Sequence, residues 1–201
     1  KENSIKVIED AACGFGSKYK EKHVGTFGDS GCFSFHPRKA ITTGEGGMVT
    51  TNDENHANLL RKLRDHGAEM SDLQRHLGSK PYLLADHTEA GFNQRMTDIQ
   101  ASLGSKQMDR SNEIIEERRN LASNYNEAFK DLDWLQTPKE DSNYLHSYQS
   151  YACMIMPEEI TANKIEKVHV LRNAWMEELE LKGISTRPST HAVHMLGYYR
   201  N

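Results

Sequence analysis

The chain has 201 residues, of which 36% are hydrophobic and 27% are charged, and its formal net charge is −4 with histidine neutral. This composition is typical of a soluble globular protein of one or two domains, and it argues against disorder. Because lysine and arginine form no block, the charge gives no reason to expect a nucleic-acid partner, and small molecules are the expected ligands.

Cysteine usage and hydropathy restrict the compartment. Cys13, Cys32 and Cys153 are an odd number at wide spacing without a CxxC pair. This spacing suggests neither a disulfide framework nor a zinc site, and it favours a reducing compartment. No apolar run approaches the roughly 20 residues that span a bilayer, and the first residues carry no signal-peptide pattern. We therefore expect a cytoplasmic location and no membrane partner.

The first predicted strand ends in two acidic residues. Ile5–Ile8 is rich in β-branched residues and is followed by Glu9 and Asp10. A carboxylate at the C-terminal end of a buried parallel strand lies where α/β sheets bind their ligands. Asp10 could instead cap the turn that follows, and spacing alone favours that alternative. The polar segment Lys18–His23 predicts the tip of a hairpin.

The stretch Gly28–Asp53 sets one lysine, Lys39, between two short apolar runs. Cys32–Phe35 predicts a buried strand and Gly47–Thr51 a second one, so Lys39 lies on the loop between them, at the edge of a sheet. A lone lysine in a loop is more often solvated than reactive, and both interpretations are open at this point. Three glycines allow positive φ and close backbone approach just after the lysine: Gly44, Gly46 and Gly47.

Helical signals follow the lysine stretch. Asn52 or Asp53 can cap a helix that ends before Gly67. Residues 68–90 show no clean period and predict a long surface loop. The pair Thr97 and Gln100, three residues apart, forms a capping box that predicts the start of a long helical region. That region extends to Phe129, with a break near Gly104 or Ser111.

The composition changes over Leu132–Gln149, which predicts a domain boundary near residues 130–140. Beyond it we expect a strand over Tyr148–Met156, a helix over Thr161–Lys182 closed by Gly183, and a strand over Ile184–Arg187. A helix packed on a small sheet is a plausible minor domain. The predicted domains are therefore residues 1–135 and 136–201.

Two further site classes find little support. His191 and His194 have the i, i+3 spacing of a metal pair, but no third ligand is obvious, so we predict no metal. A generic nucleotide-binding α/β module would carry GxGxxG or GxxxxGK[ST], and neither motif occurs.

Three stretches together resemble the DegT/DnrJ/EryC1/StrS family of sugar aminotransferases that use pyridoxal 5′-phosphate (PLP). They are VIEDAA at Val7–Ala12, SFHPRK at Ser34–Lys39 with TGEGG just after it, and GFNQRMTDIQA at Gly91–Ala101. The resemblance covers the middle and part of the C-terminal region of longer proteins. It implies the α/β fold of fold-type I PLP enzymes. Residues 1–135 would form part of a PLP-transferase (aspartate-aminotransferase-like) large domain with a mixed sheet, and residues 136–201 part of a smaller α+β C-terminal domain.

The resemblance also implies roles for the two central residues. Lys39 would form the Schiff base with PLP, and Asp10 would pair with the pyridine nitrogen. A protonated pyridine withdraws electrons from the carbon whose C–H bond breaks, and a carboxylate favours that protonation by charge pairing.

Further cofactor contacts are implied at Cys13, beside the cofactor, and at Ser34, on its phosphate. Asn93 or Arg95 would reach the PLP phosphate of the neighbouring subunit. Each has a structural alternative: a small buried hydrophobe for Cys13, a strand-face serine satisfied by backbone for Ser34, and ordinary loop hydrogen bonding for Asn93.

Four residues are candidates for substrate contact. His146 with Tyr151 matches an H-x-x-x-x-Y pattern of the family. The segment Gly183–Arg187, with His191 or His194, resembles its substrate side. His36 could bind substrate or only pack beside the loop, and packing is favoured.

The resemblance implies an aminotransferase of amino-sugar and polysaccharide biosynthesis. It would convert a nucleotide-linked keto-sugar to an amino-sugar, with an amino acid, glutamate by expectation, as donor, in a homodimer with shared active sites. Two alternatives stay open. A PLP-dependent sugar dehydratase relative would carry histidine in place of Lys39, and an idle or regulatory homologue that binds a sugar nucleotide would lack Lys39 or Asp10.

Overall fold

The computed structural model of the chain describes residues 4–69, 74, 77, 78, 82 and 84–200. The chain divides into two compact units, the first formed by Lys1–Asn120 with Glu140–Gln149, the second by Leu121–Lys139 with Ser150–Asn201. The segment Glu140–Gln149 therefore belongs to the first unit. The assignment of cofactor binding to residues 1–135 and of a small domain to residues 136–201 stays a prediction.

The first unit is built on a mixed three-stranded sheet of order β1-β4-β5. β1 pairs with β4 in parallel, and β5 pairs with the other side of β4 in antiparallel. This confirms the α/β class, with the lysine loop joining two neighbouring strands. The strands in the described residues are β1 Ile8–Asp10, β2 Lys18–Tyr19, β3 Lys22–His23, β4 Ser30–Ser34, β5 Gly47–Thr50, β6 Leu135–Gln136, β7 Tyr144–Leu145 and β8 Met154–Ile155.

A small second sheet, of order β3-β2-β7, contains the predicted hairpin. Its two turn residues, Lys20 and Glu21, have φ of 45° and 63°. Positive φ at both central positions is the type I′ geometry that matches the twist of paired strands. Tyr19 of the hairpin packs on Tyr144 of β7, with ring centroids 4.9 Å apart. The hairpin prediction is confirmed.

The α-helices with described bounds are α1 Glu54–Leu63, α2 Asp98–Asp109, α3 Ser111–Phe129 and α4 Ile165–Leu181. The Asp53 side chain accepts a hydrogen bond from His56 N at the start of α1, and Thr97 and Gln100 form both bonds of the capping box at α2. The predicted break occurs at Arg110, between α2 and α3. None of the described helices is long and apolar enough to cross a bilayer.

The two strands predicted after residue 147 are largely wrong. Within Tyr148–Met156 only Met154–Ile155 is a strand, because Tyr148 and Met156 adopt φ of 48° and 45°, outside the extended region. The predicted strand Ile184–Arg187 is absent from the described residues. Ile184 N instead donates to the carbonyl of Leu179 at 2.8 Å.

That bond belongs to the C-terminal cap of α4. Gly183 has φ of 78° and its N–H donates to Glu180 O at 2.9 Å, which with the Ile184 bond completes a Schellman motif. The predicted helix closure at Gly183 is confirmed, but α4 begins at Ile165 rather than Thr161. The surface loop predicted over residues 68–90 lies partly outside the described residues.

Part of the lysine loop is itself buried. Ile41 exposes 2% of its surface and Phe35 and Ala40 each expose 9%. The strand faces are more open: Ile8 and Met48 expose 71% and 51%. The second strand of the lysine stretch is therefore mostly exposed in this chain, whereas Phe35, Ala40 and Ile41 in the loop before it are buried.

Candidate functional site

Lys39 lies on the loop between β4 and β5 and is half-buried. Its amine donates a hydrogen bond to the thiol of Cys13 at 2.9 Å, and its backbone N–H donates to His36 O at 2.9 Å. In the described part of the chain, Cys13 is the only hydrogen-bond partner of the amine, and no carboxylate forms an ion pair with it. Cys13 is exposed rather than a buried hydrophobe. The structure thus brings together two of the predicted cofactor residues.

Asp10 ends β1, opposite Cys32 of the neighbouring parallel strand. Its Oδ1 accepts a hydrogen bond from Ala12 N at 3.1 Å, so the carboxylate does support the following turn. The carboxylate is exposed, and the buried position expected for it is not found in this chain. Asp10 lies three residues before Cys13, so their Cα atoms are at most about 11 Å apart. Because β1 and β4 are parallel, Asp10 at the end of β1 and the lysine loop that follows β4 both lie at the same edge of the sheet.

Glu9, next to Asp10, is held in a different way. One carboxylate oxygen accepts from the N–H groups of Phe27 and Gly28, the latter at 2.6 Å, and the other accepts from Gly25 N at 2.7 Å. Burial raises the pKa of Glu9, but these backbone N–H groups and the charge of Lys22 outweigh it and hold the pKa below its ordinary value. Glu9 thus binds the segment 25–28 to the end of β1. Sequence reasoning gave this residue no role.

Ser34 and His36 begin the lysine loop and are engaged inside it. The Ser34 hydroxyl accepts from His36 N at 3.3 Å, and His36 Nδ1 accepts from Arg38 N at 3.2 Å. His36 Nε2 lies 3.9 Å from a carboxylate oxygen of Glu45. These bonds match the structural alternatives for both residues. Their roles toward a phosphate or a substrate stay predictions.

The glycine-rich turn after Lys39 uses positive φ, as predicted. Gly44 has φ of 81° and Gly46 has φ of 154°. A Cβ atom on Gly46 would lie 2.5 Å from Thr43 Oγ1, so a larger residue would displace the turn. The Gly46 carbonyl accepts from Phe35 N at 2.9 Å, which closes the loop across its base.

Helix α2 holds the far side of the loop through a side-chain amide. Gln107 donates to Thr42 O at 3.0 Å and accepts from Thr42 N at 2.9 Å. This two-bond pairing joins residues that are 65 positions apart in sequence. The loop is therefore fixed by contacts from outside itself.

The residues predicted to act across subunits lie on one exposed segment. Asn93 is exposed and its backbone forms an isolated bridge with Asp65. Arg95 donates to the Asp65 carboxylate at 2.8 Å, so its guanidinium has a partner within this chain. A contact of either residue with a neighbouring subunit stays a prediction.

The substrate candidates fall in both units. His146 belongs to the first unit, where its Nδ1 accepts from Tyr148 N at 2.9 Å and its ring stands edge-on to Tyr148 at 4.5 Å. Arg187 and His191 belong to the second unit. An Arg187 nitrogen lies 3.9 Å from a carboxylate oxygen of Glu180. Within the described residues, no group of three or more His, Cys, Asp or Glu side chains could hold a metal ion.

One contact of the lysine loop had no sequence signal. Gln149 donates through Nε2 to the carbonyl of Arg38 at 2.6 Å, across 111 positions of sequence. No local pattern marks such a pair. Successive side chains of a strand point to opposite faces of the sheet, so Glu9 and Asp10 face different sides. That alternation could have indicated a separate role for Glu9.

An apolar concavity of about 1240 Å³ lies in the first unit, and Thr42 and Thr43 of the lysine loop help to line it. Phe33, Phe35, Ile41 and Ile115 are among its lining residues, whereas Lys39 and Asp10 are not. The concavity therefore does not mark the site of the predicted chemistry.

Comparison with solved structures identifies the fold. Over 99% of this chain and 49% of the other, the structure matches Helicobacter pylori PseC, an aminotransferase involved in the biosynthesis of pseudoaminic acid, with a TM-score of 0.81 and 26% identity. A Streptococcus pneumoniae protein described as a sugar aminotransferase, solved in its PLP form, matches with a TM-score of 0.79 and 26% identity, over 98% of this chain and 46% of the other. The fold is that of PLP-dependent aminotransferases, as predicted.

Comparison of sequences gives the family. The profile of the DegT/DnrJ/EryC1/StrS aminotransferase family matches residues 1–201, and the chain belongs to this family. GDP-perosamine synthase of Escherichia coli O157:H7 is 35% identical over 199 residues, which cover 99% of this chain and 48% of that protein. The chain thus spans about half the length of the curated relatives it matches.

Proposed function

We propose that the protein with this chain is a PLP-dependent aminotransferase that converts the keto group of a nucleotide-linked sugar to an amine, with glutamate as donor. The observation that carries the proposal is the Lys39 amine, which contacts Cys13 at the sheet edge where β1 ends in Asp10. Family membership and the PLP-form neighbour support the same chemistry.

The side chains at this edge suit PLP. A bound PLP supplies an aldehyde carbon, which an amine can join, and a pyridine ring that withdraws electrons from the reacting carbon. Lys39 offers the amine, and Asp10 offers an exposed carboxylate for the ring nitrogen. Ser34 and Asn93 are the proposed phosphate ligands, and Cys13 is the proposed neighbour of the ring.

Lys39 has two proposed tasks in this site. It would hold the cofactor, whose ring would weaken the C–H bond of the donor carbon, and its free amine would act as the base that accepts and returns that proton. The second task requires a free amine that swings over a short distance. A lysine whose amine contacts a thiol, rather than a carboxylate, meets that requirement.

The substrate class rests on the relatives. A GDP-perosamine synthase and an aminotransferase involved in the biosynthesis of pseudoaminic acid match nearly all of this chain, and these names support a nucleotide-linked sugar as the substrate. We propose His36, His146, Arg187 and His191 as the residues that contact the sugar nucleotide. The amino group of glutamate would enter at the same site.

The decisive assay separates donor from acceptor. The full-length protein, loaded with PLP, should release 2-oxoglutarate from glutamate, and it should then transfer the nitrogen to one member of a set of nucleotide-linked keto-sugars, detected by mass. The variant Lys39→Ala is the negative control. Failure to convert any amino acid to its keto acid would rule the proposal out, whereas a reaction with a different amino acid would change only the donor.

We also propose a homodimer in which Asn93 of one subunit completes the site of the other. Asn93 is exposed, and its side chain makes no hydrogen bond to the described residues of its own chain. Inactive Lys39→Ala and Asn93→Ala proteins, unfolded and refolded together, should regain activity, because one site of each hybrid dimer would be intact. If the site lies within one subunit, the mixture should stay inactive.

A further inference from the structure

The peptide group that joins Arg38 to Lys39 is held at both of its polar atoms. Its carbonyl oxygen accepts from Gln149 Nε2 at 2.6 Å, and its N–H donates to His36 O at 2.9 Å. A peptide group is planar, so two opposed hydrogen bonds fix the orientation of the whole plane. Because the Cα atom of Lys39 lies in that plane, the plane fixes the point from which the Lys39 side chain leaves the backbone.

Gln149 is itself held on helix α3. Arg118 donates to Tyr148 O at 3.1 Å and to Gln149 O at 3.4 Å, so the backbone on either side of the glutamine is fixed. Tyr148 is buried and has φ of 48°, a backbone conformation that residues other than glycine rarely adopt. Tyr148 N donates to His146 Nδ1 at 2.9 Å, which supports this conformation from the other side.

A second arginine of α3 binds the segment before Gln149. Arg119, the neighbour of Arg118 on α3, donates to His146 O at 2.7 Å and pairs with the Glu140 carboxylate at 2.7 Å. A strained residue that is held by several partners is a feature of positions where geometry matters. The segment 146–149 is therefore a rigid support from which one amide reaches the lysine loop.

We propose that Gln149 is a positioning residue of the reaction, which directs the Lys39 amine toward the sheet edge by binding the Arg38 carbonyl. The inference rests on the proposed function, because it assigns Gln149 a role in the reaction of Lys39. Gln149 does not touch the reacting atoms. Its effect is exerted through the peptide plane.

Two substitutions test the role of the amide. Gln149→Ala removes the donor, and Gln149→Glu replaces it with an acceptor of the same size that faces a carbonyl oxygen. The readout is the rate at which Lys39 of the full-length protein joins added PLP, followed by absorbance and by borohydride reduction with peptide mass analysis. Both variants should slow this step roughly tenfold or more, because a small misplacement of a reacting group is costly. The exposed Gln136→Ala is the matched control.

The outcomes separate the inference from the proposed function. If PLP does not attach to Lys39 in the unmodified protein, the proposed function fails. If it attaches there, but Gln149→Ala and Gln149→Glu react as fast as Gln136→Ala, only the positioning role is overturned. A purely structural glutamine would lower the melting temperature without changing the attachment rate, and that result also contradicts the inference.

Discussion

The loop that carries Lys39 and the segment that follows α4 are both irregular, yet they are held in opposite ways. Side chains that lie 111, 65 and 26 positions away in sequence bind the lysine loop at Arg38, Thr42 and Lys39. In the segment after α4, Arg187 binds the carbonyl of its own neighbour, Thr186, and lies beside Glu180.

The difference indicates how each region can act. A loop that is fixed from several elements can hold an amine in one direction, as covalent chemistry requires. A segment that is held by local bonds can adjust to a ligand at low cost. We therefore expect substitutions in the lysine loop to affect the chemical step, and substitutions near Arg187 to affect substrate affinity.

The largest effect is expected at Lys39. Lys39→Ala should abolish attachment of PLP and lower the transamination rate by about 10²–10⁴-fold or more, because the amine is both the point of attachment and the proposed base. Lys106→Ala, at an exposed lysine of α2, should leave the rate unchanged. A Lys39→Ala protein that retains most of its rate would show that the loop is not the reactive region.

A smaller loss of transamination rate is expected when Asp10, at the end of β1, is changed. Asp10→Asn should leave PLP attached to Lys39 but lower the transamination rate by about 10²–10³-fold, because a neutral amide favours a protonated ring nitrogen less than a carboxylate does. The exposed Asp133→Asn is the control. If PLP attachment and the transamination rate fall equally, Asp10 maintains the local structure of the sheet edge rather than the protonation of the PLP ring nitrogen.

The locally held segment should respond differently. Arg187→Ala should raise KM for the sugar nucleotide by about tenfold through the loss of a charged hydrogen bond, with attachment of PLP at Lys39 unaffected. Arg200→Ala serves as the control from the same segment. A fall in kcat with unchanged KM would place Arg187 with the lysine loop and would remove the distinction between the two regions.

The smallest effect concerns stability. Since the pKa of Glu9 is lowered in the folded chain, its contribution is present above the pKa of the unfolded chain and is lost as the pH falls through the lower folded value. Glu9→Gln should lower the melting temperature by a few degrees at neutral pH, and the difference from the unmodified protein should shrink in acid. The control Glu177→Gln should show no such pH-dependent difference.

Features with local causes could be predicted from the sequence. The hairpin turn at Lys20 and Glu21, the capping box of Thr97 and Gln100, and the end of α4 at Gly183 each depend on residues a few positions apart. The motifs around Asp10 and Lys39 identified the family. The fold then followed from the family rather than from periodicity.

What could not be predicted depends on distant contacts. The alternation over Tyr148–Met156 suggested a strand, but Arg118 holds Tyr148 in a left-handed conformation that the local pattern does not encode. The partners of Glu9 and Gln149 lie on other segments, so only the fold reveals what these residues support. Glu9 and Gln149 lie inside the VIEDAA and H-x-x-x-x-Y stretches, but neither motif indicates which distant atoms they bind.

The most direct test of the account is to identify the residue to which PLP becomes attached. The full-length protein is incubated with PLP, reduced with borohydride, digested and analysed by mass spectrometry. The account predicts that the added mass lies on the peptide that contains Lys39, and that Lys39→Ala loses it. Attachment at another lysine, with Lys39 unmodified, would contradict the central claim.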